Sequence, residues 1–302
     1  MKIDVFAHVL LDNYYKKMLD IDPKLPIKFP FLNNPVLSDM DVRRKYWDQE
    51  TKQVISYMNV NPEDYCDPDQ SASLCRGAND ELRQTVLDHP DMFVHAVGML
   101  PMNNIKEAVK IVEEFSKDEV FAGVQLFTRH LGKSIADPSF EELFKAMDQC
   151  HTIVWLHPVF DLRKPDNNLV FSWEYELSQA MLQLVQAGYI RKYPHIRYIV
   201  HHAGGMVPFF AGRVERILKK EEAEDFKSFY VDTAILGNSK ALELAVSYYG
   251  TDHVLFGTDA PLGILPAGAT KEIKEAIDEM PLDQEDFSKI YEKNYFKLLG
   301  DK

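Results

Sequence analysis

The chain is short of cysteine, of positive charge and of long apolar runs, and each shortage excludes something. Cys66, Cys75 and Cys150 are an odd set without CxxC spacing. They make no disulfide frame, and reduced thiols in a cytoplasmic protein are expected. Lys and Arg total 34 against 47 Asp and Glu, a formal charge of -13. That balance repels phosphate backbones, so no nucleic-acid partner is expected. No apolar run reaches the roughly 18 residues of a membrane span, so no membrane partner is expected either. The opening residues, MKIDVFAHVLLDNYY, hold one Lys, place Asp4 inside a short apolar patch and offer no small-residue cleavage site. They read as a first strand and not as a signal peptide. Internal repeats and low-complexity tracts are absent, and no GxGxxG turn follows the first apolar run. The last absence weighs against an open dinucleotide-binding sheet.

What is present is an alternation. β-rich apolar runs recur at 3–8, 53–60, 93–100, 121–127, 152–157, 197–202, 229–235 and 253–258. Amphipathic helical patterns lie between them, at 71–88, 105–115, 140–150, 174–192 and 240–249. Strands that alternate with helices predict a parallel sheet, and eight of them predict closure into a (β/α)8 TIM barrel. The length of 302 residues suits one such barrel as a single domain, 1–302, and an apolar fraction of 46% suffices for its core. Residues 20–38 are proline-rich and lack periodicity. They are expected to be an inserted loop over the barrel mouth, or else a plain surface excursion.

Barrel enzymes carry their catalytic groups at the C-terminal ends of the strands. Here His8 ends the first apolar run, His157 the fifth in VWLHP, His201 and His202 the sixth in IVHHAGG, and Asp259 follows the eighth in LFGTDAP. An imidazole or carboxylate closing an apolar strand is poorly solvated unless something pairs with it. A lone histidine of this kind is usually a hydrogen-bonded core residue. Several that converge on one axis with an aspartate make a natural site for Zn²⁺ or a similar divalent ion. Strand alternation lets only one of His201 and His202 enter the mouth, and it puts Phe6 and His8 on one face. His89, His95, His130, His151, His195 and His253 lack this convergence and read as surface or packing residues, with His130, just after the fourth run, the one held in reserve.

The blocks DVRRKYWD (41–48), GMLPM (98–102), GVQLF (123–127), DPSFEELF (137–144), LHPVFD (156–161), HHAGGMVPFFAGR (201–213), FYVDTA (229–234) and FGTDAPLG (256–263) run over nearly the whole chain. Through them the sequence resembles the amidohydrolase-related decarboxylase family. The resemblance implies that His8, His157 and Asp259 are metal ligands and that His202 is the catalytic histidine, with His201 facing away. It implies that Arg43 holds a substrate carboxylate, and that Arg213 reaches the neighbouring subunit's site in a homodimer. It further implies one divalent ion, zinc first and manganese second. One position departs from the pattern. The family's first strand reads HxH, whereas this one reads Phe6-Ala7-His8. Phe6 cannot ligate a metal and is expected as an apolar wall beside the site.

The expected activity is therefore metal-dependent, non-oxidative decarboxylation of a small unsaturated or aromatic carboxylate. Hydrolysis of an amide, lactone or ester is the competing reading, with Asp259 as a catalytic carboxylate that helps activate water. A lysine at the end of the fourth strand would favour a two-metal hydrolase, and Phe127-Thr128-Arg129 offers none. A barrel that has lost its metal and only binds a ligand is the third reading, and Phe6 is its sole support.

Overall fold

The computed structural model describes residues 1–161, 163–164 and 166–300. Seven parallel strands lie in chain order in one curled sheet: β1 (Lys2–Val9), β2 (Thr51–Tyr57), β3 (Phe93–Gly98), β4 (Phe121–Phe127), β5 (Ile153–His157), β6 (Arg197–Val200) and β7 (Tyr230–Val231). Each strand pairs with its successor because the helices between them carry the chain back along the outside. Helix Ile105–Phe115 shows the rule: it buries Ala108, Ile111, Val112 and Phe115, one stripe at helical spacing. Side chains cap its start and that of helix Pro68–Asp88, where Asn104 and Asp67 accept the first free N–H groups.

The eighth run forms no ladder. Residues 254–260 join the sheet on both sides through single bridges, Val231 to Val254 and Ala7 to Ala260. Leu255 N donates to Val231 O at 2.8 Å, Val5 N to Phe256 O at 2.8 Å and Asp259 N to Phe6 O at 2.9 Å. The circle closes, and the result is a TIM-like barrel. The expected strand is irregular because its backbone groups are shared with other partners. Gly257 N donates to the Thr233 hydroxyl and Phe256 N to Ile290 O.

Inside the barrel, Val5, Val54, Val97, Ile153, Trp155 and Ile199 belong to one apolar cluster, and the Trp155 indole donates to Val5 O at 2.7 Å. A register shift between Asp4 and Ala7 breaks the alternation of β1. Such a bulge re-aims the side chains beyond it, and Phe6 joins the same inner cluster as Val5. Residues 20–38 fold as short turns of helix whose Leu25, Phe29, Leu32 and Leu37 are buried, while Phe31 lines the cavity at the mouth. The three cysteines are unpaired. Among the described residues no helix is long and apolar enough to cross a membrane.

Candidate metal centre

Four side chains meet at the C-terminal end of the barrel. His8, His157, His201 and Asp259 are buried, and one ligand atom from each lies within 4.8 Å of the others. A coordination sphere with ligands at ~2.2 Å is ~4.4 Å across, so the set, up to 4.8 Å wide, need draw in only slightly to hold one ion. Asp259 Oδ1 stands 3.2 Å from His8 Nε2 and 3.5 Å from His201 Nε2. Both nitrogens are buried and carry no hydrogen bond. Buried polar atoms left in that state are uncommon and call for an explanation. A divalent cation, which would polarise a bound oxygen and lower the pKa of water there, satisfies both lone pairs together.

The other ring nitrogen of each histidine is already held. His8 Nδ1 meets Ser56 Oγ at 3.1 Å, His157 Nδ1 donates to Pro158 O at 2.6 Å, and His201 Nδ1 donates to buried Asp232. Partners of this kind set the tautomer and aim Nε2 at an ion. The electrostatics agree. Burial lowers His8 despite Asp259, and burial together with His8 and His201 pushes His157 well down. For His201 burial opposes the charge, but Asp232 and Asp259 outweigh it and raise the imidazole. Burial likewise works against ionised Asp259, yet His201 and His8 hold it far below the usual carboxylate range. Asp259 thus stands ionised beside two imidazoles held neutral, while His201 carries a proton that a bound cation would displace.

His201 corrects the expectation that it faces away. Alternation along β6 decides this: Ile199 points into the barrel core, so His201 points in at the next layer. Nor is His202 excluded. The chain turns left-handed at His202 (φ 52°) and Ala203 (φ 55°), which ends the alternation. His202 therefore lines the cavity wall, with Nδ1 2.7 Å from Glu174 Oε1. Gly205 lets this loop press on helix Ser172–Gln186, because a Cβ there would sit 2.6 Å from Glu174 O. Phe6 stacks on His201 with ring centroids 3.9 Å apart and stands 5.8 Å from the rings of both His8 and His157. It is an apolar floor under the donors and is not among the cavity-lining residues.

Arg43 stands elsewhere than expected. It is 3% exposed and lies behind β1, where its guanidinium donates to Gln53 Oε1, His8 O and Val36 O. It does not line the cavity. Gln53 passes the contact on to Asp4, which also binds the backbone and hydroxyl of Thr258. Burial pushes Asp4 up to about 6 and Arg43 down to about 10. Arg213 is exposed on helix Ala211–Ile217 and does not line the cavity. His130 is a satisfied core residue, paired with buried Glu63 at 3.0 Å and accepting from Phe127 N.

Sequence reasoning passed over Asp232, Ser56, Asn59 and Glu174. Asp232, in FYVDTA after β7, obeys the same rule of polar residues at strand ends. It also yields a test. A Cβ on Gly257 would lie 2.7 Å from the Cβ of Asp232. Gly257→Ala is expected to displace Asp232 from His201, weaken metal binding at least ~10-fold and lower stability by ~1–3 kcal/mol. Metal titration and urea unfolding check this, and unchanged affinity would show that Asp232 does not hold His201.

A family model described as amidohydrolase matches residues 54–300. The chain belongs to that family. A 2-amino-3-carboxymuconate-6-semialdehyde decarboxylase of Dictyostelium discoideum is 24% identical, over 91% of this chain and 86% of its own length. A 6-methylsalicylic acid decarboxylase of Penicillium expansum is 25% identical, with 74% of each chain covered. Among solved structures, a 5-carboxyvanillate decarboxylase of Novosphingobium aromaticivorans, with bound manganese and 3-methoxy-4-hydroxy-5-nitrobenzoic acid, superposes with a TM-score of 0.87 at 18% identity. That match covers 99% of this chain and 97% of the other.

Proposed function

We propose that this protein is a metal-dependent, non-oxidative decarboxylase of an aromatic or conjugated carboxylic acid. The observation that carries the reading is the set of three buried imidazoles and one carboxylate around a single point, with two imidazole nitrogens unsatisfied. Support comes from relatives named as decarboxylases. His8, His157, His201 and Asp259 would hold the ion, which would supply positive charge for the substrate's carboxylate. Zinc suits three imidazoles and a carboxylate, while manganese is bound in a structural neighbour. His202, kept in place by Glu174, is the residue of the cavity wall suited to move a proton. It delivers that proton to the ring carbon bearing the carboxylate. The bond from that carbon to the carboxylate then breaks, its electron pair restores the ring, and CO2 leaves.

Metal analysis and CO2 release from a panel of hydroxybenzoates test the reading together. One ion per chain is expected, with activity lost on chelation and restored by Zn²⁺ or Mn²⁺. A protein that binds no divalent ion at millimolar supply, or that decarboxylates unchanged after chelation, refutes the proposal.

Arg213 supports a second element of this reading, a homodimer that places Arg213 at the partner's cavity. It shares its helix and the preceding turn with exposed Phe209, Phe210 and Ile217, an apolar surface suited to a twofold contact. Sedimentation should return twice the 34.8 kDa chain mass. A monomer at micromolar concentration contradicts it.

A further inference from the structure

The space above the donors is larger than one ring requires. The cavity measures about 830 Å³. A plain aromatic acid has about nine to eleven heavy atoms, whereas cavities of ~300–1,000 Å³ take drug-sized ligands. Its wall is also one-sided. His157, His202 and Asp259 stand at the deep end, and Leu236, Leu244, Leu262, Leu265, Phe171 and Phe210 stand further out. Ala241, Leu244 and Ala245 present one face of helix Ser239–Tyr249 to this outer chamber.

The polar groups that remain gather at the deep end, where Asn59 Oδ1 and Trp173 Nε1 are buried without a partner beside His157 and His202. Asn59 lies against His157, Glu174 against His202, and the Asn238 side chain caps helix Ser239–Tyr249 by accepting from Ala241 N. No Lys or Arg among the described residues lines the cavity. In the outer chamber a second carboxylate would meet leucine and phenylalanine and find no cation of the protomer. An apolar substituent, by contrast, leaves water for a wall that fits it.

We propose that the substrate is an aromatic monocarboxylic acid with an apolar side chain several carbons long, its carboxylate at the donors and its tail against Leu236, Leu244 and Leu265. The position of the carboxylate rests on the decarboxylase reading; the tail rests on the outer chamber alone. Full burial of one methylene is worth about fourfold in affinity, ~0.8 kcal/mol. A chamber open at one end gives somewhat less, about threefold.

The test uses the metal-loaded, full-length protein and two series of compounds. The first is 2-hydroxybenzoates with 6-methyl, 6-propyl and 6-pentyl groups, plus one with a second carboxylate, assayed by CO2 release. The second is the matching alkylphenols, which cannot react, with binding read by quenching of the Trp173 indole in the cavity wall. Both kcat/KM and phenol affinity are expected to rise about threefold per methylene, near 80-fold from methyl to pentyl. The dicarboxylate should be the poorest substrate. Leu244→Glu, at a position 40% exposed, is expected to flatten both gradients, and Leu265→Glu, at 59%, serves where the first variant does not fold. A flat gradient in wild type, preference for the dicarboxylate, or gradients unmoved by both variants overturns the inference. Phenol binding that climbs with chain length while no acid releases CO2 leaves the chamber standing and removes the decarboxylase reading. Release of CO2 from short acids with flat gradients does the reverse.

Discussion

Replacing Asp259 by Asn is expected to abolish tight metal binding and activity together. The change keeps the shape of the side chain and removes its charge. Among the described residues Asp259 is the carboxylate that faces the Nε2 atoms, with Oδ1 3.2 Å from His8 and 3.5 Å from His201. It stays ionised although burial alone would favour the neutral acid. An ion in that place would lose its only charged ligand in a region shielded from water. Removing one partner of a buried charge pair costs about 3–5 kcal/mol, which is a loss of about 10²–10⁴ in affinity. Because Asn is nearly isosteric, the apoprotein should fold. Equilibrium dialysis against Zn²⁺ and Mn²⁺, with circular dichroism as the control for folding, is the measurement. Near-normal metal affinity in the variant would sink the assignment of Asp259 as a ligand.

The second large effect belongs to Arg43, and it is one of stability. Arg43→Ala removes a buried cation and leaves Gln53 Oε1, His8 O and Val36 O without their donor. Asp4 loses a positive charge that its buried carboxyl interacts with. Stranded buried acceptors cost ~1–3 kcal/mol each at most, and the uncompensated charge adds to that. A loss of ~3–5 kcal/mol in urea unfolding is expected. Metal affinity of the folded fraction should fall only ~10-fold, through the loosened backbone at His8. The resemblance to decarboxylases implied a substrate contact instead. If Arg43→Ala raises KM strongly while stability stays level, the guanidinium reaches substrate and the buried arrangement is wrong.

The barrel was legible because the information is local and periodic. Every apolar run that predicted β1 to β7 overlaps its strand, and the run at 121–127 coincides with β4. The eighth side was legible as a place but not as a ladder. Its hydrogen bonds go to Thr233 and Ile290, partners that no pattern within 253–258 reveals. The donors followed from polar residues at strand ends, apart from the choice between His201 and His202. There the alternation of β6, with Ile199 inward, was the better guide, and the left-handed turn at His202 could not be read in advance. Arg43 shows the opposite limit. A cation in a recognisable motif says nothing of which face of a strand it lies behind, and only the packing of helix Met40–Tyr46 against β1 decides that.

The irregular eighth side has a consequence for what a metal bound at this site would do. Between β1 and β2 the ladder runs through six residue pairs, whereas residues 254–260 touch each neighbour through one bridge and a few hydrogen bonds. A side held by few bonds opens locally more easily than a long ladder. His8 stands on one lip of it and Asp259 on the other. An ion held by both spans the gap as a clasp. At ~1,000 times its Kd it adds ~4 kcal/mol against opening. Parting the lips would strip a bound ion of ligands on both sides, so loading the site would hold the barrel shut at its irregular side.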